Sequence, residues 1–184
     1  MTLSCERSFK KNEYGPGILV NEVTIADVGD VSGETGPFFD RPWDIGVRLF
    51  LEVGRDFQPE LVSAGEFKRN AKGEVIGWGS AFVVQEALMR LGYSGDLDSA
   101  NRIPFKVLQS LVGKKFLRLT YVSRLNDKGR VKYTDWNQIG TLEEGPAELV
   151  NRFKRSLSRG YPKNYRPEVL EQGVTEKLEV VETL

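Results

Sequence analysis

Residues 114–140 read KKFLRLTYVSRLNDKGRVKYTDWNQIG, two strand-like runs in which cations alternate with apolar and aromatic residues around one tight turn. The turn is Asn126, Asp127, Lys128 and Gly129, a composition suited to a type I turn closed by a left-handed glycine in a bulge. If Asn126 faces Arg130, then Arg124 faces Lys132, Val122 faces Thr134, Thr120 faces Trp136 and Arg118 faces Gln138. Period-two alternation then collects Arg118, Arg124, Arg130, Lys132 and Trp136 on one side of the ribbon. The other side carries Leu117, Tyr121, Ser123, Leu125, Val131, Tyr133 and Ile139, which reads as core. A half-buried antiparallel hairpin is the expectation. Arg124 opposite Lys132 is the unusual pair, because like charges across a ladder destabilise it unless water, salt or an anion separates them. The pair reads either as a seat for a phosphate or as a solubilising edge that blocks aggregation.

Working outward, the chain has 184 residues with 40% hydrophobic content, enough for one ordinary domain with extensions. Formal net charge is zero, but its distribution is uneven. Residues 114–166 hold thirteen cations and five anions, a local charge of +8, whereas the residues after Arg166 carry −4 and those before Lys114 carry −4. A basic block next to an acidic end creates local fields that the total conceals. The sequence contains no histidine and one cysteine, Cys5, which excludes a Ser-His-Asp triad, a Cys-His pair, a Cys/His zinc site and an intrachain disulfide. No run approaches the length of a membrane span and the first residues lack an apolar signal core, so the expected location is cytoplasmic, or host cytoplasm if the source is viral.

Alternation predicts a strand over 18–28 and a cleaner one over 43–53. In the second, Trp43, Ile45, Val47, Leu49, Leu51 and Val53 occupy one face, and Phe50 near Arg48 interrupts the polar face. A small hairpin is expected in EFKRNAKGEVIGWG, turning at residues 70–73. A helix follows from Ala81 to Leu91 with Ser80 as its cap, and a second runs from Pro104 to Val112. After the basic hairpin, Pro146 opens a helix to about Ser158 with Leu149, Val150, Phe153 and Leu157 on one side and Arg152, Arg155 and Arg159 near one another. Order is expected to fail from Gly160 onward. The fold class expected is mainly β, an OB-like barrel of five antiparallel strands with two or three α-helices, because a helix between the third and fourth strands is the OB arrangement. The expected division is an extension over 1–16, a binding domain over 17–160 and an acidic flexible tail over 161–184.

Over residues 17–142 the chain resembles the single-stranded DNA-binding proteins of bacteriophages, OB-fold proteins of replication and recombination. The resemblance rests on the strand order, on the helix FVVQEALMRLGY, on a short helix leading into LVGKKFLRLTYV, and on the basic turn NDKGRVKYTDWNQIG. It implies bases stacked on aromatics, a backbone held by cations, no cofactor, and replication or recombination partners met through the acidic tail. The tail here, EVLEQGVTEKLEVVETL, lacks both a dense aspartate run and a terminal aromatic.

Cations interleaved with aromatics suit a polyanion bearing flat rings, which is single-stranded nucleic acid. The candidate contacts are Arg48, Phe50, Phe67, Arg69, Trp78, Arg118, Arg124, Arg130, Lys132 and Trp136, with Trp136 the first choice for stacking. The expected function is non-enzymatic, sequence-tolerant binding of single-stranded DNA. The alternative is a structural or adaptor protein, such as a virion component, using the sheet and the Pro146 helix for protein contacts. A metal-dependent nuclease would draw on Asp44, Glu52, Glu66 or Glu74, but these acids fall on alternating faces and loops, whereas two-metal chemistry needs them clustered.

Overall fold

The computed structural model describes residues 14–35, 41–52, 60–125 and 131–170, with the main chain alone for residue 125 and residues 131–137. Seven strands and three α-helices occur among these residues: β1 (Ile18–Asp30), β2 (Ile45–Glu52), β3 (Glu60–Gly65), β4 (Lys68–Arg69), β5 (Val75–Gly77), α1 (Phe82–Met89), α2 (Phe105–Ser110), β6 (Lys115–Leu125), β7 (Val131–Gly140) and α3 (Gly145–Ser158). Five strands form an antiparallel sheet in the order β3-β2-β1-β6-β7, and β4 and β5 make a separate two-stranded hairpin. The mainly β class, the five-strand set and three helices agree with expectation. No closure of the sheet into a barrel is found among the described residues. The chain divides into two compact units, unit 1 from residues 1–21 and 117–184, and unit 2 from residues 22–116.

In unit 2, β2 shows the expected alternation, with Ile45, Val47, Leu49 and Leu51 buried while Arg48, Phe50 and Glu52 stay wetter. The strand starts at Ile45, so Trp43 lies before it, half-buried, with the Arg41 guanidinium 4.3 Å above its ring. β3 was not anticipated; its buried residues Leu61 and Ser63 alternate with half-buried ones, and it pairs with β2 from Ile45↔Gly65 to Phe50↔Glu60. Val84, Ala87 and Leu88 bury one face of α1. Ser80 does not cap that helix. Its hydroxyl accepts the Glu66 N–H at 2.9 Å instead, fastening the 3-10 turn Gly79–Ala81 to the end of β3. The turn expected at residues 70–73 is present, built on the Asn70 side-chain oxygen, which accepts the N–H groups of Lys72 and Glu74.

In unit 1, the register at the end of the basic hairpin is as expected, with Arg124 paired to Lys132 and Leu125 to Val131. Farther along it departs. Val122 pairs with Tyr133, Thr120 with Asp135 and Arg118 with Ile139, so the expected pairs Val122–Thr134, Thr120–Trp136 and Arg118–Gln138 are corrected. Ser123 is an extra residue on β6, and later a single residue, Leu119, stands against residues 136–138 of β7. Bulges of this kind interrupt the alternation on which a single cationic row depends. Nor is β6 half-buried: every residue from Phe116 to Ser123 is buried, as expected of a strand flanked by β1 and β7 and covered on both faces. One cover is α3, whose Leu149, Val150 and Phe153 pack on Leu117, Leu119, Tyr121 and Ile18.

Order does not stop at Gly160. Pro162, Val169 and Leu170 are buried, the Tyr121 hydroxyl donates to the Asn164 side chain at 2.7 Å, and the Arg166 N–H donates to the Val122 carbonyl at 3.0 Å. Residues 161–170 therefore belong to unit 1. The remainder of the expected tail, residues 171–184, and the expected extension up to residue 13 lie outside the described residues.

Candidate nucleic-acid interface

Five of the candidate residues, Arg48, Phe50, Phe67, Arg69 and Trp78, belong to unit 2, and the other five to unit 1. Within unit 2, Arg48 and Phe50 share one face of β2, two residues apart, with the guanidinium carbon 5.9 Å from the ring centroid. Arg48 also forms an ion pair of 3.5 Å with Glu60 across β3, so its charge is already met by a carboxylate. Phe67 is buried and packs edge-on against Trp78 with ring centroids 5.5 Å apart. An aromatic ring enclosed in this way is not available for stacking, which corrects the reading of Phe67 as a contact. Trp78 is half-buried by the same packing.

Arg69 is exposed but occupied: one nitrogen donates to the Asp44 carboxylate at 2.9 Å and another to the Gly73 carbonyl at 2.9 Å. Asp44 also accepts the Phe67 N–H at 2.8 Å. The small hairpin of β4 and β5 is thus laced to the chain ahead of β2 by one carboxylate. Two of the other acids weighed for metal chemistry are similarly engaged, Glu66 with Arg41 at 3.7 Å and Glu74 with the Asn70 amide at 2.7 Å, while Glu52 is exposed at the end of β2. Among the described residues no three acidic, cysteine or histidine side chains gather as metal ligands.

In unit 1, Arg118 is 2% exposed, which removes it from any outer surface. Burial, which disfavours the charged form, lowers its pKa to about 10. Thr120, two residues on, is buried too. Arg124 has the opposite character: it is exposed, and no described residue pairs with its guanidinium. Its cross-strand neighbour is Lys132, as expected. Arg130 and the turn at residues 126–130 lie outside the described residues, and Trp136 is described only through its main chain, within the bulged stretch of β7.

Two of the three cations expected to cluster on α3 are paired within unit 1. Arg152 bonds the Ile139 carbonyl at 3.0 Å and pairs with Glu144 at 3.2 Å, while Arg155 pairs with Glu148 at 3.1 Å. Reading the sequence did miss three exposed aromatics, Phe82 and Phe105 in unit 2 and Tyr161 in unit 1, whose ring lies 5.9 Å from the Lys163 ammonium. Spacing gave no signal for Phe105, which stands three residues before the buried Leu108 on the same side of a one-and-a-half-turn helix and so reads as core.

No protein-family model matches the chain, no curated protein matches it in sequence, and no solved structure matches it.

Proposed function

We propose that this chain binds single-stranded DNA without catalysis and with little sequence preference, as a component of phage or bacterial replication or recombination. We read the five-stranded sheet, with α1 and α2 between its third and fourth strands, as an OB-type barrel. The observation that carries the proposal is the Arg124–Lys132 pair. The register sets two cationic residues opposite each other, a pairing that is unfavourable unless an anion is seated between them. The surrounding charge of +8 over residues 114–166 supports the same reading, since phosphate neutralisation dominates the affinity of such binders. The adaptor alternative has lost one of its surfaces, because the apolar face of α3 already packs inside unit 1.

The test is a titration of intrinsic tryptophan fluorescence with oligo(dT) and oligo(U) at two salt concentrations. Quenching at low salt that reverses at high salt is the expected result. Each contacted phosphate adds about 0.7 to the log-log salt slope of a single strand. Arg124→Ala should weaken binding and lower that slope, and an absence of quenching at low salt would overturn the proposal.

A further inference from the structure

We infer that Arg166 is a third phosphate contact, extending the Arg124–Lys132 seat across β6 to its other side; this rests on the nucleic-acid reading above. Val122 faces Tyr133 on its side toward β7. Its N–H donates to the Gly17 carbonyl at 2.9 Å, one residue before β1 begins, and its carbonyl accepts the Arg166 N–H at 3.0 Å. Beyond the start of β1, the segment around Arg166 therefore takes the place of a neighbouring strand beside β6. At Val122 three main chains therefore meet, with Arg166 bonded on one side and Tyr133 in register on the other, and main chains paired in this way stand about 4.8 Å apart. Each carries a cation within two residues of this line: Arg166, Arg124 and Lys132. The row spans roughly 10 Å, over which a stacked polynucleotide strand presents a phosphate every ~3.4 Å.

The segment is held firmly enough to aim a side chain. Asn164 accepts the Tyr121 hydroxyl, and the Tyr165 hydroxyl donates to the Pro16 carbonyl. The Tyr165 ring stands edge-on to Tyr121 and Phe153 at centroid distances of 6.2 and 5.7 Å. Pro167 packs over Gly17, where an added Cβ would lie 3.4 Å from the proline Cα. Positioning a charge on a packed backbone lowers the entropy lost when it binds. The Arg166 side chain itself is 61% exposed, and it pairs with Glu168 at 4.0 Å. An ion pair that long and that exposed is weak and screened, so a phosphate can displace it.

Fluorescence titrations with oligo(dT) between about 50 and about 200 mM salt should compare the full chain with Arg166→Ala, Arg166→Lys, Glu168→Gln, Arg124→Ala and Arg159→Ala. Arg166→Ala should lower the salt slope by about 0.7, as Arg124→Ala does, while Arg166→Lys keeps the slope of the parent. Glu168→Gln should tighten binding by freeing the guanidinium. Arg159→Ala, at the end of α3, should leave the slope unchanged. Because Arg166 bonds Val122 through its backbone, all Arg166 variants should keep the parent melting temperature. If the parent binds and Arg124→Ala loses slope while Arg166→Ala matches the parent, the seat ends at two cations and the inference fails alone. If the parent does not bind oligo(dT) at low salt, the nucleic-acid reading fails and takes this inference with it.

Discussion

A methyl group on Gly65 would sit 2.5 Å from the Ala81 Cα and 2.6 Å from its nitrogen, both main-chain atoms that cannot swing aside. The end of β3 and the turn into α1 touch there backbone to backbone, so the position excludes even alanine. Overpacking of this kind costs about 1–3 kcal/mol, and Gly65→Ala should lower the denaturation midpoint accordingly. Gly77→Ala, whose new methyl meets nothing nearer than 3.9 Å, should stay close to the parent in the same chemical denaturation experiment. A second residue-level expectation concerns alkali. Burial, with Asp96 adding to it, raises the Tyr93 pKa to about 12 from an ordinary value of 10, and burial raises those of Tyr121 and Tyr165 as well. The folded state thus keeps protons that the unfolded chain releases, so the stability these groups contribute is intact below pH 10 and for Tyr93 is lost as pH rises from 10 toward 12. Absorbance titration of tyrosinate should show ionisation coinciding with loss of near-ultraviolet dichroism, and early ionisation of all tyrosines in a still-folded protein would contradict it. Arg118 shows what a residue cannot disclose by its type. An arginine in an alternating run reads as a surface cation, and only the neighbours of β6 reveal that it is enclosed.

At the level of elements, β2 was readable because alternation is intact over its length and one face is wetter. The register of the basic hairpin was readable only near its turn, where the turn type sets the pairing. Neither bulge contains a glycine or proline to announce it; Ser123 and residues 136–138 look like ordinary strand. Residues 161–170 read as loose for a related reason, since their order comes from Tyr121, Gly17 and Val122, distant in sequence. β3 was hidden because Glu60–Gly65 shows no alternation of apolar and charged residues. Two consequences for the α3 layer can be measured. Phe153 is fully buried against Tyr121 and Tyr165, so Phe153→Ala should cost about 3–5 kcal/mol in chemical denaturation. Tyr121→Phe keeps that packing and removes the bond to Asn164, an exposed side chain that water can satisfy, so its cost should lie near the low end of about 0.5–1.5 kcal/mol. A larger loss for Tyr121→Phe than for Phe153→Ala would show that the bond, not the packing, secures residues 161–170.

For the whole molecule, zero net charge hides a segregation whose effect depends on ionic strength. Residues 171–184 hold four glutamates and one lysine, so a chain ending at Leu170 has a net charge of +3. That truncation keeps the buried Val169 and Leu170, and it should bind oligo(dT) more tightly than the full chain at low salt, with the difference fading as the Debye length shrinks. Equal affinity at low salt would mean that the acidic end exerts no field at the binding surface. The location of the charge was legible from the residue list alone; which cations remain free to act was not, because Arg118, Arg152 and Arg155 are enclosed or paired within unit 1.

The two-unit division also bears on how the chain is made. Residues 22–116 form one uninterrupted stretch, whereas unit 1 begins before that stretch and is completed after it, with Arg166 returning to the neighbourhood of Gly17. On a ribosome the enclosed stretch can condense while the later codons are still being read. The opening segment, including Ile18, must wait for partners roughly a hundred residues downstream, and during that interval its apolar side chains stand uncovered on the nascent polypeptide.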